Sequence, residues 1–191
     1  MLNLNTGRRA ARALALTLAL GLGATGAAEA KNPMVGGAPM FASKTIVENA
    51  VNSKDHTTLV AAVKAAGLVD TLSGPGPFTV FAPTNAAFGK LPPGTVETLV
   101  QPQNKAQLTG ILTYHVVPGT YTSKELMKLV RQGGGEATLK TAQGEPLTVA
   151  MARGGKGLTV TDTKGNTARV TIANVMQANG VIHVINGVLM P

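Results

Sequence analysis

The sequence predicts an α+β domain in which helices come first and strands follow as an antiparallel sheet. Between residues 44 and 132, apolar residues recur mostly at helical spacing, with one compact strand among the helices. After "RQGGGE" (131–136) the pattern changes, because apolar and polar residues then alternate as they do in half-buried strands. This separation of helices from strands along the chain is typical of α+β folds.

The first 30 residues have the layout of a secretory signal peptide. A basic start at Arg8, Arg9 and Arg12 precedes an apolar stretch and then an A-x-A cleavage signal that ends at Ala30. The apolar stretch, about Ala13 to Leu22, is shorter than the roughly 20 residues that cross a bilayer. We therefore predict cleavage after Ala30 and a secreted or periplasmic protein without a transmembrane span.

A short lead-in separates the signal peptide from the domain. Residues 31–43, "KNPMVGGAPMFAS", are rich in Gly, Pro and Met and are interpreted as a flexible or loosely docked segment. The domain itself is predicted over residues 44–191, a length that suits one domain with a substantial core. The chain has no cysteine, so its stability must come from burial and not from disulfides.

The first helices and the first strand have clear local signals. Residues 55–68, "DHTTLVAAVKAAGL", place apolar residues on one helical face, with Asp55 expected to cap the start and Gly67 to end the helix. "FTVFA" (78–82) is rich in Phe, Val and Thr and predicts a strand, after which Thr84 is expected to cap a short helix.

Three further helices are predicted before the strands begin. Thr95 is expected to cap a short one. A longer helix is predicted over 102–117, with Pro102 in its first turn. Thr122 and Glu125 form a capping-box pattern for the last helix.

The remaining segments predict strands. Alternation of apolar and polar residues marks residues 137–142, 146–152, 157–162 and 168–178. "TDTKGNT" (161–167) suits a hairpin turn between the last two of these segments. "GVIHVINGVLM" (180–190) is apolar almost throughout, which predicts a strand buried on both faces.

The distribution of charge argues against a nucleic-acid partner. The formal net charge is +8, but the lysines are spread along the chain without a basic block. Single-stranded nucleic acids are bound by a basic groove with stacking aromatic side chains, and this chain has four Phe, two Tyr and no Trp. Attraction to anionic surfaces or to polysaccharide stays open.

The sequence lacks the usual patterns of catalytic and cofactor sites. GxSxG, HExxH and glycine-rich phosphate loops are absent, and without cysteine there is no thiol nucleophile. The acidic residues of the domain are isolated and not paired for acid–base chemistry. A three-histidine metal site would need His56, which lies in the charged stretch "SKDHTT" (53–58) and is expected to face solvent. We predict a non-enzymatic protein without a cofactor or a metal.

The other two histidines lie in apolar surroundings. His115 continues a helical stripe formed by Leu108, Ile111 and Leu112. His183 lies in "VIHVI" on the predicted buried strand. Both are predicted to be neutral core histidines whose ring nitrogens bond to backbone or to nearby polar groups.

Three stretches resemble the conserved motifs of the fasciclin-1 (FAS1) domain family. "FTVFAPTNAAF" (78–88) is similar to the first motif, "LTYHVVPG" (112–119) to the central Tyr-His motif, and "ANGVIHVINGVLMP" (178–191) to the second motif that closes the domain. The similarity runs in family order from about Lys44 to Pro191.

The resemblance implies a wedge-shaped α+β fold, in which a β-sandwich-like sheet packs with a helical half. It also implies that residues 78–82 and 181–189 are buried core strands that lie close together. FAS1 domains are generally adhesion or extracellular interaction modules and not enzymes.

The resemblance also singles out motif residues. Tyr114-His115 matches the Tyr-His motif, and Asn179 and His183 lie in the second conserved motif. In some animal members an Asp-Ile pair before the second motif is implicated in integrin binding. That pair falls here on Asn174-Val175, so the acidic residue is missing and integrin binding is not expected.

Two functions are therefore expected at this point. The first is a secreted, monomeric, single-domain FAS1 protein of bacterial type that mediates cell adhesion, binding a protein or polysaccharide of a cell surface or matrix near Tyr114. The alternative is a periplasmic binding protein that carries a small apolar ligand in the helical half. A deep apolar cavity beside the sheet favours the carrier, whereas a filled core with an exposed binding patch favours adhesion.

Overall fold

The computed structural model describes residues 32–191. The predicted signal peptide and its cleavage site lie outside these residues. The helices are α1 (Ile46–Ala50), α2 (Thr57–Ala66), α3 (Val69–Ser73), α4 (Asn85–Phe88), α5 (Thr95–Leu99), α6 (Lys105–Tyr114) and α7 (Ser123–Gln132). The strands are β1 (Met34–Val35), β2 (Ala38–Pro39), β3 (Phe78–Pro83), β4 (Val116–Pro118), β5 (Glu136–Lys140), β6 (Pro146–Met151), β7 (Leu158–Thr161), β8 (Thr167–Gln177) and β9 (Gly180–Ile185). Short 3₁₀ turns occupy Lys54–His56 and Pro102–Asn104.

Several predicted helix ends are confirmed. α2 ends at Gly67, which adopts the left-handed conformation with φ 73°. The Thr84 hydroxyl accepts a hydrogen bond from the backbone of Ala87 at the start of α4. Thr122 and Glu125 form the predicted capping box of α7.

Two predicted caps are wrong. Asp55 lies inside the 3₁₀ turn, and α2 begins at Thr57, directly after that turn, with His56 as the N-cap. Thr95 is the first residue of α5, and the N-cap is Gly94, whose φ of 79° is left-handed. In both places the turn before the helix shifts the cap by one residue.

Seven strands form the main sheet, in the order β4-β3-β9-β8-β7-β6-β5. The expectation of an antiparallel sheet is wrong for one pair, because β3 and β9 run parallel, with Phe78 opposite Gly180 and Pro83 opposite Ile185. Parallel strands need a long crossover connection, and here most of the domain lies between the two strands. These are the two motif strands, so their expected proximity is confirmed. The strand predicted over 180–190 is wrong at its end, because β9 stops at Ile185 and Asn186 is exposed.

The sheet separates two hydrophobic clusters. One lies between the helices and one face of β3 and β9, and it includes Leu59, Leu112 and Ile182. The other lies inside the curved sheet under α7, and it includes Leu126 and Val149. The ends of the sheet approach each other, since the backbone N–H of Ala142 donates to the carbonyl of Val116 at 2.7 Å. An α+β fold with a sandwich-like sheet and a helical half is thus confirmed.

Residues 32–43 of the lead-in are docked on the domain, in contrast to the expectation of a flexible or loosely docked segment. β1 and β2 form a small hairpin, and the Val35 and Met40 side chains are buried in the helical cluster. The side chain of Asn49 on α1 accepts from the Phe41 backbone N–H at 3.0 Å and donates to its carbonyl at 2.7 Å. Two buried apolar side chains and this amide clamp hold the segment in place.

The long helix predicted over 102–117 is also wrong at its end. α6 stops at Tyr114, and Val116 and Val117 form β4, which pairs with Val80 and Thr79 of β3. These β-branched residues suit a strand, and the neighbouring sheet edge supplies their hydrogen bonds. Among residues 32–191, no helix is long and apolar enough to cross a membrane.

Replacing Met40 with alanine tests whether the lead-in is part of the folded core. Met40 is 2% exposed, so the substitution leaves a cavity and is expected to lower the free energy of unfolding by about 2–4 kcal/mol. Met34→Ala is the matched control, because that side chain is 58% exposed and its loss should change stability by less than about 0.5 kcal/mol. Urea denaturation measures both, and equal, small effects would contradict a docked lead-in.

Candidate functional site

Tyr114, the last residue of α6, points into the interior. Its side chain is 0% exposed, and its hydroxyl donates to the carbonyl of Pro146 at 2.7 Å, which ties α6 to the start of β6. Burial, followed by the nearby charge of Asp162, raises the pKa of Tyr114 to about 12. Tyr114 therefore joins two elements, and its own side chain presents no surface to a partner.

His115 ends α6 and contacts the C-terminal segment of the chain. Its Nδ1 donates to the carbonyl of Ile111 at 2.8 Å, one of the carbonyls left free at the helix end. Its Nε2 accepts from the backbone N–H of Leu189 at 3.1 Å. Only a neutral ring can donate from one nitrogen and accept at the other. Burial lowers the pKa of His115 to about 4, so the prediction of a neutral core histidine is confirmed.

Asp162 completes this junction and was not singled out from the sequence. Its Oδ2 accepts from the backbone N–H of Met190 at 2.9 Å, next to the Leu189 bond to His115. Its Oδ1 accepts from the backbone N–H of Asn166 at 2.8 Å and so closes the hairpin turn between β7 and β8. An aspartate that begins a turn was the available signal in the sequence.

His183 lies at the centre of β9 and is fully buried. Its Nε2 donates to the carbonyl of Tyr121 at 2.7 Å, and its Nδ1 accepts a longer bond of 3.4 Å from the backbone of Asn174. The ring stacks on Phe81, with 5.7 Å between ring centroids. Burial lowers the pKa of His183. The predicted core position is confirmed.

Asn174 and Val175, at the Asp-Ile position of integrin-binding members, have different surroundings. Asn174 is exposed and left-handed, with φ 59°, a conformation that asparagine tolerates. Its amide accepts from the backbone N–H of Ser123 and donates to the Ser123 hydroxyl, both at 2.7 Å, and so fixes the start of α7. Val175 is fully buried.

Asn179, in the turn between β8 and β9, joins the sheet to two helices. Its Oδ1 accepts from the first backbone N–H of α1, that of Ile46, at 3.0 Å. Its Nδ2 donates to the carbonyls of Leu72 and Gly74 at the end of α3. The motif residues thus belong to separate junctions between elements. Among the described motif side chains, only that of His183 is hydrogen-bonded to another motif residue, the backbone N–H of Asn174.

His56 is buried, so the expectation that it faces solvent is wrong. It is 3% exposed because the 3₁₀ turn directs it inward, where its Nδ1 lies 2.9 Å from the Ser53 hydroxyl. Its Nε2 has no hydrogen-bond partner in the part of the chain that the structure describes. Burial lowers the pKa of His56. No group of three or more His, Asp or Glu residues suited to a metal ion occurs among residues 32–191.

The helical cluster contains little empty space. An apolar cleft between α1, α2, α3 and β3 has a volume of about 40 Å³, and a neighbouring void beside Met40 and His56 has about 30 Å³. An engineered cavity that accepts benzene has about 150 Å³. The helical half is therefore a nearly filled core.

The outward side of β5–β8 is polar and carries a row of threonines. Thr138, Thr148, Thr161 and Thr167 lie opposite one another on successive strands. We call this side, with Thr159, Arg153 and Arg169, the outer sheet face. A groove of about 560 Å³ runs along it, lined by Met151, Ala152, Arg153, Thr159, Thr161, Thr167 and Arg169. This surface was not predicted from the sequence, although threonine at alternate strand positions is a usable signal for it.

Comparison with known proteins gives one family. The sequence model of the Fasciclin domain family matches residues 54–191. Protein sll1483 of Synechocystis sp. is 46% identical over 192 residues, which cover 96% of this chain and 98% of that protein. The cell surface glycolipoprotein MPB83 of Mycobacterium bovis is 36% identical over 168 residues, covering 85% of this chain and 68% of the relative.

A solved structure has the same fold. It is the FAS1 domain pair from the insect cell adhesion molecule Fasciclin I, which superposes with a TM-score of 0.69 at 21% sequence identity. The match covers 78% of this chain and 51% of that one. At this identity the similarity concerns the fold alone.

Replacing His115 with alanine should act mainly on stability. The change leaves the Leu189 N–H without its acceptor and opens a cavity, so the free energy of unfolding at pH 7 is expected to fall by about 3 kcal/mol. Gln107→Ala, at an exposed position of the same helix, is the control and should change it by less than about 0.5 kcal/mol. Unchanged stability of His115→Ala, together with lost surface binding, would contradict a structural role.

Acid should weaken the fold through the same histidine. Below its ordinary pKa of 6.5 the unfolded chain binds a proton at His115, whereas the folded state resists protonation until about pH 4. Between these values the unfolded state holds more protons, so the free energy of unfolding falls as pH falls, by about 3 kcal/mol in total. Urea denaturation from pH 7 to 4 measures this loss.

His115→Gln isolates this contribution from that of the other groups. Burial lowers the pKa values of His56 and His183 too, and their effect has the same sign. At pH 7 the variant is expected to have a lower free energy of unfolding than the unsubstituted protein. Between pH 7 and 4 that free energy should fall by less in the variant than in the unsubstituted protein. Equal decreases in the free energy of unfolding in the two proteins would show that protonation of His115 does not cause the loss of stability.

Proposed function

This chain belongs to the fasciclin domain family, and we propose that it is a secreted or periplasmic, non-enzymatic protein that mediates cell adhesion or contact with an extracellular matrix or surface. It binds a protein or polysaccharide of that surface as a monomer. The predicted signal peptide supports export, and the surface location in the name of the mycobacterial relative supports the same compartment.

The observation that carries the proposal is that the side chains of Tyr114, His115 and His183 are buried and hydrogen-bonded inside the domain. The phenol of Tyr114 and both ring nitrogens of His183 bond to the backbone of other elements, and the ring of His115 bonds to its own helix at Ile111 and to the C-terminal segment at Leu189. Groups occupied in this way hold the fold together and are not available to substrate or ligand. A partner therefore meets the outer surface, where a groove of about 560 Å³ lies on the outer sheet face.

The same observation supports a function without catalysis. General acid–base work needs a titratable group within hydrogen-bond reach of a substrate, and a pKa near the working pH. His115 lacks both properties, since it is enclosed and its pKa is lowered to about 4. The adhesion molecule that shares the fold and the cell-surface relative agree with a binding role.

The alternative, a carrier of a small apolar ligand, has less support. The cleft in the helical half has about 40 Å³, and filling it with a ligand would require α1 and α2 to move apart. Binding pockets for small molecules usually have about 300–1,000 Å³. A nearly filled core with an exposed polar groove fits adhesion better.

Binding to native surface material tests the proposal. Fluorescently labelled protein is expected to be retained saturably on envelope or matrix material of the producing cells, and unlabelled protein should compete with it. The protein unfolded in urea and diluted into the assay without refolding is the control. Absence of saturable retention, together with an apolar small molecule that copurifies and is seen by native mass spectrometry, would favour the carrier instead.

A further inference from the structure

The outer sheet face has the features of a site for one class of partner. We propose that it binds an acidic polysaccharide, with Arg153 and Arg169 pairing with carboxylate or sulfate groups and the threonine hydroxyls contacting the sugar rings. This inference rests on the proposed function and names its partner class and surface.

The groove is built by the register of three strands. Thr161 lies between Thr148 of β6 and Thr167 of β8, and its hydroxyl is 3.0 Å from that of Thr167. In the next row Thr159 lies opposite Arg169. Since side chains on one face of neighbouring strands are about 5 Å apart, the hydroxyls of Thr159, Thr161 and Thr167 lie close together on the floor of the groove, beside the apolar side chains of Met151 and Ala152.

Cations gather at one end of this floor. Arg153 and Lys156 belong to the glycine-rich loop between β6 and β7, and Arg169 reaches toward that loop, where its Nη2 donates to the Lys156 carbonyl at 3.3 Å. No carboxylate of residues 32–191 forms an ion pair with either arginine. The row of cross-strand neighbours that contains Arg169 ends in an acidic residue, Glu136 on β5. Three strand spacings, or about 14 Å, separate the backbone positions of Glu136 and Arg169.

This combination favours a polysaccharide with acidic groups. The planar fork of arginine matches carboxylate and sulfate oxygens in a bidentate way. Threonine hydroxyls both donate and accept, as sugar hydroxyls do. A neutral polysaccharide would offer the arginines hydrogen-bond acceptors but no opposite charge, so affinity should depend on the charge of the polysaccharide.

Other polyanions fit less well. Single-stranded nucleic acid would use stacking aromatic side chains, and the groove is lined by none. An anionic membrane would meet an amphipathic helix or projecting apolar residues, whereas this surface is built from strands and carries arginine and threonine side chains.

Affinity measurements on the whole protein test the proposal. The probes are polygalacturonate and heparin, with dextran as the neutral polysaccharide, and the measurement is titration calorimetry at 50 and 200 mM salt. We expect binding to at least one acidic polysaccharide, none to dextran, and a loss of about tenfold or more at the higher salt, because two to three cations contact the chain.

Arg153→Gln combined with Arg169→Gln is the decisive variant. It is expected to weaken binding at least about tenfold. Lys124→Gln combined with Lys128→Gln is the matched control, since it removes the same charge from the exposed side of α7, which packs against the opposite face of the sheet. That control should change affinity less than about threefold, and melting curves check that both variants are folded.

Three results would overturn the inference. They are equal losses in the two double variants, no binding to either acidic polysaccharide, and equal or tighter binding of oligo-dT or of phosphatidylglycerol vesicles. The proposed function is judged separately in the retention assay. If the arginine variant is retained on native material as well as the unsubstituted protein, only the inference fails, whereas no retention of the unsubstituted protein means that the proposed function fails.

Discussion

β3 and β9 pair in parallel at the centre of the domain, and the remaining elements depend on this contact. β9 is buried at every position and β3 at all but its first. Their side chains alternate between two clusters, so that Val80 and Ile182 face the helices while Phe81 and Ile185 face the interior of the sheet. Because about 100 residues separate the two strands, their pairing closes a long loop and requires the intervening elements to pack around it.

The buried polar groups are arranged around this pair. A polar group removed from water destabilises the fold unless it finds a hydrogen-bond partner. His115, His183 and Asn179 each find partners on elements distant in the chain: the C-terminal segment, the loop before α7, and the ends of α1 and α3. Their bonds fix how helices and sheet meet, because each would leave unpaired groups in any other arrangement.

This arrangement separates stability from recognition. The polar groups of the Tyr114-His115 motif are bonded inside the domain, and the groove that we propose as a binding surface lies on strands and a loop of the sheet half. Residues such as Arg153 and Arg169 are exposed and contribute little to the core. The chemistry of this surface can therefore differ between proteins of one fold without disturbing the packing that defines the fold.

The sequence by itself determined what depends on neighbouring residues: the α+β class, the end of α2 at Gly67, the caps at Thr84 and Thr122, the turn over 161–167 and the buried last strand. Turn chemistry, capping and periodicity act over a few residues, so they can be read from the chain. The tertiary structure alone decided the parallel pairing of β3 with β9, the end of α6 at Tyr114, and the burial of His56 and Met40. It also decided which partners the motif side chains bond to, and that the threonines and arginines meet in one groove. These features arise from contacts between residues far apart in the chain, where burial and hydrogen bonding with a distant element outweigh local preference.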